Sequence, residues 1–294
     1  MKETLVKLRN GKANNIQVIT YPDGQHNVKI KLDEFNVKHP VIIHCSIKNF
    51  EELEILLCII WAFRQHDFFI AEIHFMYLFG LRSDRAFDPG MPNYLKDVLG
   101  PIIKDLNIPN ISFLCPHNKN AINNFLGICN PHIIYTNESV NGQEIFTHLQ
   151  PLCEKVVSFV ELFKKAIFIG GDESSGITFQ DGELYNPVNL SFKKIRDKEI
   201  IKIHLDEYTI DIINNYSLNT PIVIVDDLCD AGGTFIAEAK YLKELFPLKN
   251  LYLFVAHGLF TKGVDIVAEH FDMIFTTNSY QDINHPKVYQ YRVI

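Results

Sequence analysis

One stretch constrains the fold of this chain more than any other: Val223-Ile-Val-Asp-Asp-Leu-Cys-Asp-Ala-Gly-Gly-Thr234. An apolar, β-branched run from Ile222 to Val225 stops abruptly at two carboxylates, Asp226 and Asp227. A short loop with a third carboxylate, Asp230, and the pair Gly232-Gly233 follows, and Thr234 opens a helix-forming stretch. The pattern predicts a buried strand, a tight loop and a helix N-terminus. The glycines let the backbone reach positive φ and approach an anion closely. Amides of the turn and of the first helical turn then point at that anion, and the helix dipole favours its charge. Asp226 and Asp227 can accept hydrogen bonds from two vicinal hydroxyls, directly or through a metal. Carboxylates beside an anion loop make sense when the ligand carries hydroxyls at one end and phosphate at the other. An Asp and two glycines alone would read as an ordinary strand–turn–helix with acidic caps.

Composition narrows the rest. A chain of 294 residues suits one large or two medium domains. Its 47% hydrophobic content is ample for a packed core. A net charge of −7 argues against a general nucleic-acid binder, which would show a basic surface, but leaves local phosphate loops open. The six cysteines (45, 58, 115, 129, 153 and 229) form no C-x-x-C pair or zinc-ribbon spacing, so they read as free thiols in a reducing cytoplasm. The start Met-Lys-Glu-Thr-Leu shows no signal peptide, and the longest apolar run, Ile55 to Phe63, is far below the ~20 residues of a membrane helix.

Short apolar runs alternate with longer amphipathic segments. Strands are expected at 41–45, 72–77, 111–114, 166–169, 222–225, 252–256 and 273–276, and helices at 50–64, 94–105, 119–125, 154–164, 234–246 and 263–270. Such alternation implies βαβ units and mainly parallel sheets, with ligands at the carboxyl ends of the strands. Two sheets are needed. The expected domains are 1–145 and 146–294, with the polar segment Asn137 to Gly142 as linker and the alternating tail Lys287 to Ile294 returning to the first domain as an edge strand.

The string from Asp226 to Thr234 resembles the binding loop shared by type I phosphoribosyltransferases and ribose-phosphate pyrophosphokinases (PRPP synthetases). It departs at Ala231, where that family usually has Thr or Ser. Further on, Ala256-His257-Gly258, the helix start at Lys262-Gly263 and the strand end Thr276-Thr277-Asn278 are similar, in order, to the synthetases; His257 itself reads as a packed turn histidine. Tyr21-Pro22-Asp23-Gly24-Gln25 resembles the synthetases' Phe-x-Asp-Gly-Glu segment of the nucleotide pocket, although a Pro-Asp-Gly turn is also plain turn chemistry. Leu81-Arg82-Ser83-Asp84-Arg85 resembles Ala-Arg-Gln-Asp-Arg of the ATP site. Cys115-Pro116-His117 stands where the family has Asp-x-His, Gly170-Gly171-Asp172 where it has Ser-Pro-Asp, and Lys193-Lys194-Ile195-Arg196 where a mobile Lys-x-Arg loop closes over ATP. A thiol is a poor Mg²⁺ ligand, so Cys115 weakens any metal contact there.

This resemblance covers nearly the whole chain. It implies an α/β fold of two similar phosphoribosyltransferase-type (type I) domains, each with a mainly parallel sheet flanked by helices. It also implies Mg²⁺-dependent transfer of the β,γ-diphosphoryl group of ATP to the 1-hydroxyl of ribose 5-phosphate, giving PRPP and AMP. ATP would be held by Tyr21, Asp23, Gln25, Arg82, Asp84 and His117. Ribose phosphate would be held by Asp226, Asp227, Asp230, Ala231, Gly232, Gly233 and Thr234, and metal by His117 and Asp172. Lys194, Arg196 and His117 would be catalytic. A homo-oligomer, dimer or hexamer, is implied, with no nucleic acid and no membrane as partner. Ala231 removes a phosphate donor and opens space, so a phage-type variant that pyrophosphorylates ADP-ribose in NAD metabolism is the nearest alternative. A phosphoribosyltransferase and a catalytically silent regulatory homologue are the others.

Overall fold

The structure is a computed structural model that describes residues 3–118, 120–122, 166–171, 190–197 and 200–294, and the short strands at 132–133, 139–140 and 143–144. The chain divides into two compact units, Met1–His148 with Val293–Ile294, and Leu149–Arg292.

The first unit carries an eight-stranded sheet in the order β4-β3-β2-β1-β5-β6-β7-β8. Five of its strands, β1 (Thr4–Arg9), β5 (Val41–Ile47), β6 (Ile70–Leu78), β7 (Asn110–Phe113) and the edge strand β8 (His132–Ile133), pair in parallel. β2 (Lys12–Ala13), β3 (Ile16–Thr20) and β4 (His26–Ile30) extend it as an antiparallel meander that short apolar runs did not announce. All seven residues of β5 are buried, as expected of a β-branched strand covered on both faces. Helix α1 (Phe50–Arg64) presents Leu53, Leu56, Ile59, Ile60 and Phe63 to the core beside Val41, Ile43, Cys45 and Ile47. Each of these side chains contributes about 1.5–3 kcal/mol by leaving water. Asn49 caps α1 through the Glu52 amide, and the Glu52 carboxylate reaches back to the Lys48 amide at 2.7 Å, a close variant of the capping box.

A single helix was expected over 94–105. Instead a π-helical turn at Leu95–Leu99 leads into the short α2 (Gly100–Asp105). Pro101 has no N–H for the carbonyl four residues back, so the ladder widens there. Of the expected linker, Ser139–Val140 forms strand β9, paired with β10 (Gln143–Glu144). The expected helix at 154–164 and most of that at 119–125 lie outside the described residues.

The second unit holds a five-stranded, wholly parallel sheet, β11-β14-β15-β16-β17. Its strands are β11 (Ile167–Gly170), β14 (Ile222–Cys229), β15 (Leu251–Gly258), β16 (Met273–Thr277) and β17 (Val288–Tyr291). Helices α3 (Glu207–Asn215), α4 (Gly233–Leu245) and α5 (Val264–Ala268) accompany it. A two-stranded hairpin, β12 (Lys193–Asp197) with β13 (Ile200–His204), stands as a separate sheet. The tail strand corrects the sequence reading: β17 is the edge of the second sheet, not the first, parallel to β16. Side chains fix it there. Gln290 donates to the Thr277 and Gln281 carbonyls, and Lys287 to those of Ala268 and Phe271. No helix among the described residues is long and apolar enough to cross a membrane.

Candidate active site

The loop singled out by sequence sits at the carboxyl end of β14, whose strand pairing continues through Asp226 to Cys229. Gly232 is the N-cap of α4, with φ of +81° and no side-chain cap. Two independent reasons demand glycine there. The left-handed conformation is costly for other residues, and a Cβ would lie 2.3 Å from Val267 Cγ2. Gly233 differs, because a Cβ there would meet nothing within 4 Å. The contrast with other helices is informative. α1 is capped by Asn49 and α3 by Asp206, whose carboxylate takes the Thr209 amide at 2.8 Å. α4 has no capping side chain and no acid in its first turn. Its N-terminal amides therefore have no side-chain cap among the described residues, an arrangement that can receive an anion. Cys229, within the loop, is buried. Its thiol is pushed up to about 12, first by burial and then by Asp230, Asp226 and Glu238, so it stays neutral and adds no charge beside the α4 N-terminus.

Asp226 and Asp227 are half-buried at the strand end, and the Asp227 amide donates to Asp226 Oδ1 at 2.8 Å. Gly171, at the end of neighbouring β11, packs directly against the Asp226 carboxylate: a Cβ would lie 2.6 Å from Oδ2. Gly171 thus makes room for Asp226. Asp172, the next residue, lies outside the described residues. His257, at the end of β15, is buried and shares a 2.8 Å hydrogen bond with Ser279 Oγ, which agrees with a packed structural role.

In the first unit, Asp84 follows β6 and His117 follows β7, and one contact ties their loops. Asn118 Nδ2 donates to Asp84 Oδ2 at 2.5 Å, while Asn93 Nδ2 donates to the Asp84 carbonyl at 2.6 Å. Asn93 also caps the π turn, accepting from the Lys96 amide. Gly80, φ +77°, lets this turn close on β6, since a Cβ would strike Leu99 and Tyr94 at 2.8 Å. Arg82 and His117 are exposed and Asp84 half-buried. Arg85 lies over the Phe87 ring, 5.3 Å from its centroid. Cys115 is buried and has φ of +39°, so its thiol is turned into the protein. The Tyr21–Gln25 turn is the tip of the β3–β4 hairpin. Asp23 Oδ1 accepts the Gln25 amide and Tyr21 is 42% exposed. No hydrogen bond among the described residues joins it to the Arg82–Asp84 loop.

Lys194 and Arg196, expected on a loop, lie on strand β12 opposite Ile203 and Ile201; their side chains lie outside the described residues. The residues that the sequence did not flag are the supports: Asn93, Asn118, Gly171 and Thr261, whose hydroxyl bonds Asp230. Their only signal is position, one to a few residues from a flagged side chain or opposite one across the fold.

Strand-end loops on two α/β units, one with a mainly parallel and one with a wholly parallel sheet, and a glycine loop at an uncapped helix, define a mixed α/β protein of two parallel-sheet units. The comparisons carry this further. The chain is 22% identical over 276 residues to a ribose-phosphate pyrophosphokinase of Pyrococcus abyssi, covering 92% of this chain and 86% of that one. It is 38% identical over 74 residues to that of Mycoplasmopsis pulmonis, covering 24% of this chain and 23% of the relative. The crystal structure of phosphoribosylpyrophosphate synthetase from Mycobacterium smegmatis superposes with a TM-score of 0.67 at 12% identity, over 95% of this chain and 86% of that one. No family model matches. The chain is a distant relative of the ribose-phosphate pyrophosphokinases and resembles them along nearly its whole length.

Proposed function

We propose that this chain transfers the β,γ-diphosphoryl group of ATP to the anomeric 1-hydroxyl of ribose 5-phosphate and releases AMP. The observation that carries the reading is the β14–α4 loop: two carboxylates at a strand end, then a left-handed glycine and an uncapped helix N-terminus. The 5-phosphate would lie against Asp230–Thr234 and the 2- and 3-hydroxyls against Asp226 and Asp227. ATP would be held by Arg82, Asp84 and His117, with Tyr21, Asp23 and Gln25 offered to a neighbouring subunit of a dimer or hexamer. The 1-hydroxyl oxygen attacks the β-phosphorus in line and its proton passes to solvent. The bond from the β-phosphorus to the bridging oxygen breaks, and AMP leaves with that oxygen. Lys194 and Arg196 stabilise the charge that gathers on the transferred group and on the leaving oxygen.

Mg²⁺ fits the donors at hand. It prefers oxygen and is usually held by one or two carboxylates together with substrate phosphates. Asp226 and Asp227 supply carboxylates, and the described residues contain no closed group of three His, Cys, Asp or Glu ligands. The resemblance offers His117 and Asp172 as its proposed protein ligands, of which Asp172 is the oxygen donor that the ion prefers, and the ion would neutralise charge on the triphosphate. None of the four described cysteines forms a disulfide; the proposed setting is a reducing cytoplasm.

One observation favours a second acceptor. Ala231 lacks the hydroxyl that the resemblance leads one to expect, and space is open at Gly233, so a ribose 5-phosphate extended at its phosphate, as in ADP-ribose, is the alternative. Incubation with Mg²⁺·ATP and each sugar in turn, with AMP followed by chromatography, tests both. The faster acceptor names the substrate. Lys194→Ala should fold and lose most turnover, and unchanged turnover would remove that assignment.

A further inference from the structure

The glycine loop does not stand alone: the segment after β15 is built around it. The Leu259 and Phe260 amides both donate to the Cys229 carbonyl, at 2.9 and 3.2 Å, and the Thr261 amide donates to the Asp230 carbonyl at 3.1 Å. The Thr261 hydroxyl then donates to Asp230 Oδ1 at 2.7 Å. Phe260 is buried with φ of +44°, a strained state for a residue with a side chain. It reaches that state because Gly258 leaves room: a Cβ there would lie 2.4 Å from the Phe260 ring. Gln281 holds the Leu259 carbonyl at 2.7 Å. Val267, on the helix that follows, is the group against which Gly232 packs. Strain and four hydrogen bonds therefore converge on Cys229–Gly232.

Of the four hydrogen bonds to Cys229 and Asp230, the one from the Thr261 hydroxyl is made by a side chain, which a substitution can remove without touching the backbone. It also acts on the one carboxylate inside the loop. Asp230 is exposed, and a carboxylate free to swing there would repel a phosphate at the α4 N-terminus. The Thr261 hydroxyl holds it against the β15–α5 segment instead.

We infer that Thr261 is a positioning residue for sugar-phosphate binding, fixing the Asp230 carboxylate so that the α4 amides are left to the phosphate. The inference rests on reading this loop as the sugar-phosphate site. The test is calorimetric binding of ribose 5-phosphate, and separately of Mg²⁺·ATP, to the full chain. Thr261→Val keeps the shape and loses the hydroxyl; the expected result is affinity for ribose 5-phosphate weaker by about tenfold, with ATP affinity unchanged. Thr261→Ser restores the hydroxyl and should restore binding. In an Asp230→Ala background Thr261→Val should have little further effect, because both act through one bond. Should the valine variant fail to fold, Thr261→Ala takes its place in the same cycle. Equal binding by wild type and Thr261→Val, equal loss of ATP and sugar phosphate, or additive effects in the cycle would each overturn the inference and leave the site reading intact. Wild-type protein that binds no ribose 5-phosphate would overturn the site reading, and the inference with it.

Discussion

The glycine loop of the second unit and the Arg82–Asp84 loop of the first both leave the carboxyl end of a parallel strand, yet they are made of different material. The first is a backbone device. Its conformation follows from Gly232, its donors are main-chain amides, and a neighbouring segment braces it through main-chain bonds. The second depends on side chains: Asp84 is held by Asn118 and Asn93, and Arg82 and His117 project from exposed loops. The contrast extends into the sheets. The centre of β14 and β15 is apolar on both faces, whereas in the first sheet Lys7, His44, His74 and Ser112 occupy one register across four strands. His44 is fully buried, and neither ring nitrogen has a hydrogen-bond partner among the described residues. On the proposed reading, a backbone-built site should tolerate replacement of its side chains, as at Ala231, better than a side-chain-built one, as at Cys115.

The sharpest way to break the comparison is Gly232→Ala. A forced left-handed alanine and a clash with Val267 should cost roughly 3–5 kcal/mol and abolish ribose 5-phosphate binding, read by urea unfolding and calorimetry. A next, smaller effect belongs to the first sheet. Burial, then His74 and Lys7, lower the His44 pKa to about 3. A depressed histidine favours the neutral form in the fold. Above its unfolded pKa of roughly 6.5 it has no effect on stability, and below that the unfolded chain takes up the proton first. Wild type should therefore lose about 3 kcal/mol relative to His44→Leu between pH 7 and pH 4. Parallel urea curves for the two proteins across this range would contradict the assignment. Asn118→Ala should cost about 1–2 kcal/mol and raise KM for ATP while leaving that for ribose 5-phosphate alone; equal effects on both substrates would erase the distinction between the two loops. Gly233→Ala should be the mildest in stability, within about 0.5 kcal/mol, because a Cβ there meets open space. It should nonetheless weaken ribose 5-phosphate binding, because that space is where the phosphate would sit.

How much of this was legible in the sequence follows the same division. β5, α1, β14 and α4 were plain because apolar periodicity and glycine punctuation are local signals, and α1 is found at the bounds that its pattern predicts. The β2–β4 meander and the β12–β13 hairpin were missed, since their strands are short and polar or charged residues interrupt their apolar positions. The tail strand was placed on the wrong sheet because alternation predicts a strand but not its partner; Lys287 and Gln290 choose it through carbonyls distant in sequence. At the candidate site, Asp226 to Thr234 were readable as one string. The Asn118–Asp84 tie, the Gly171–Asp226 contact and the Thr261 brace were not, because each joins residues that only the fold makes neighbours.

The measurement closest to the central claim is phosphorus NMR of the reaction of the purified protein with Mg²⁺·ATP and ribose 5-phosphate. The account predicts AMP and a sugar 1-pyrophosphate in equal amounts, both dependent on the sugar. Formation of ADP in place of AMP, or an ATP spectrum unchanged by either ribose 5-phosphate or ADP-ribose, would contradict it.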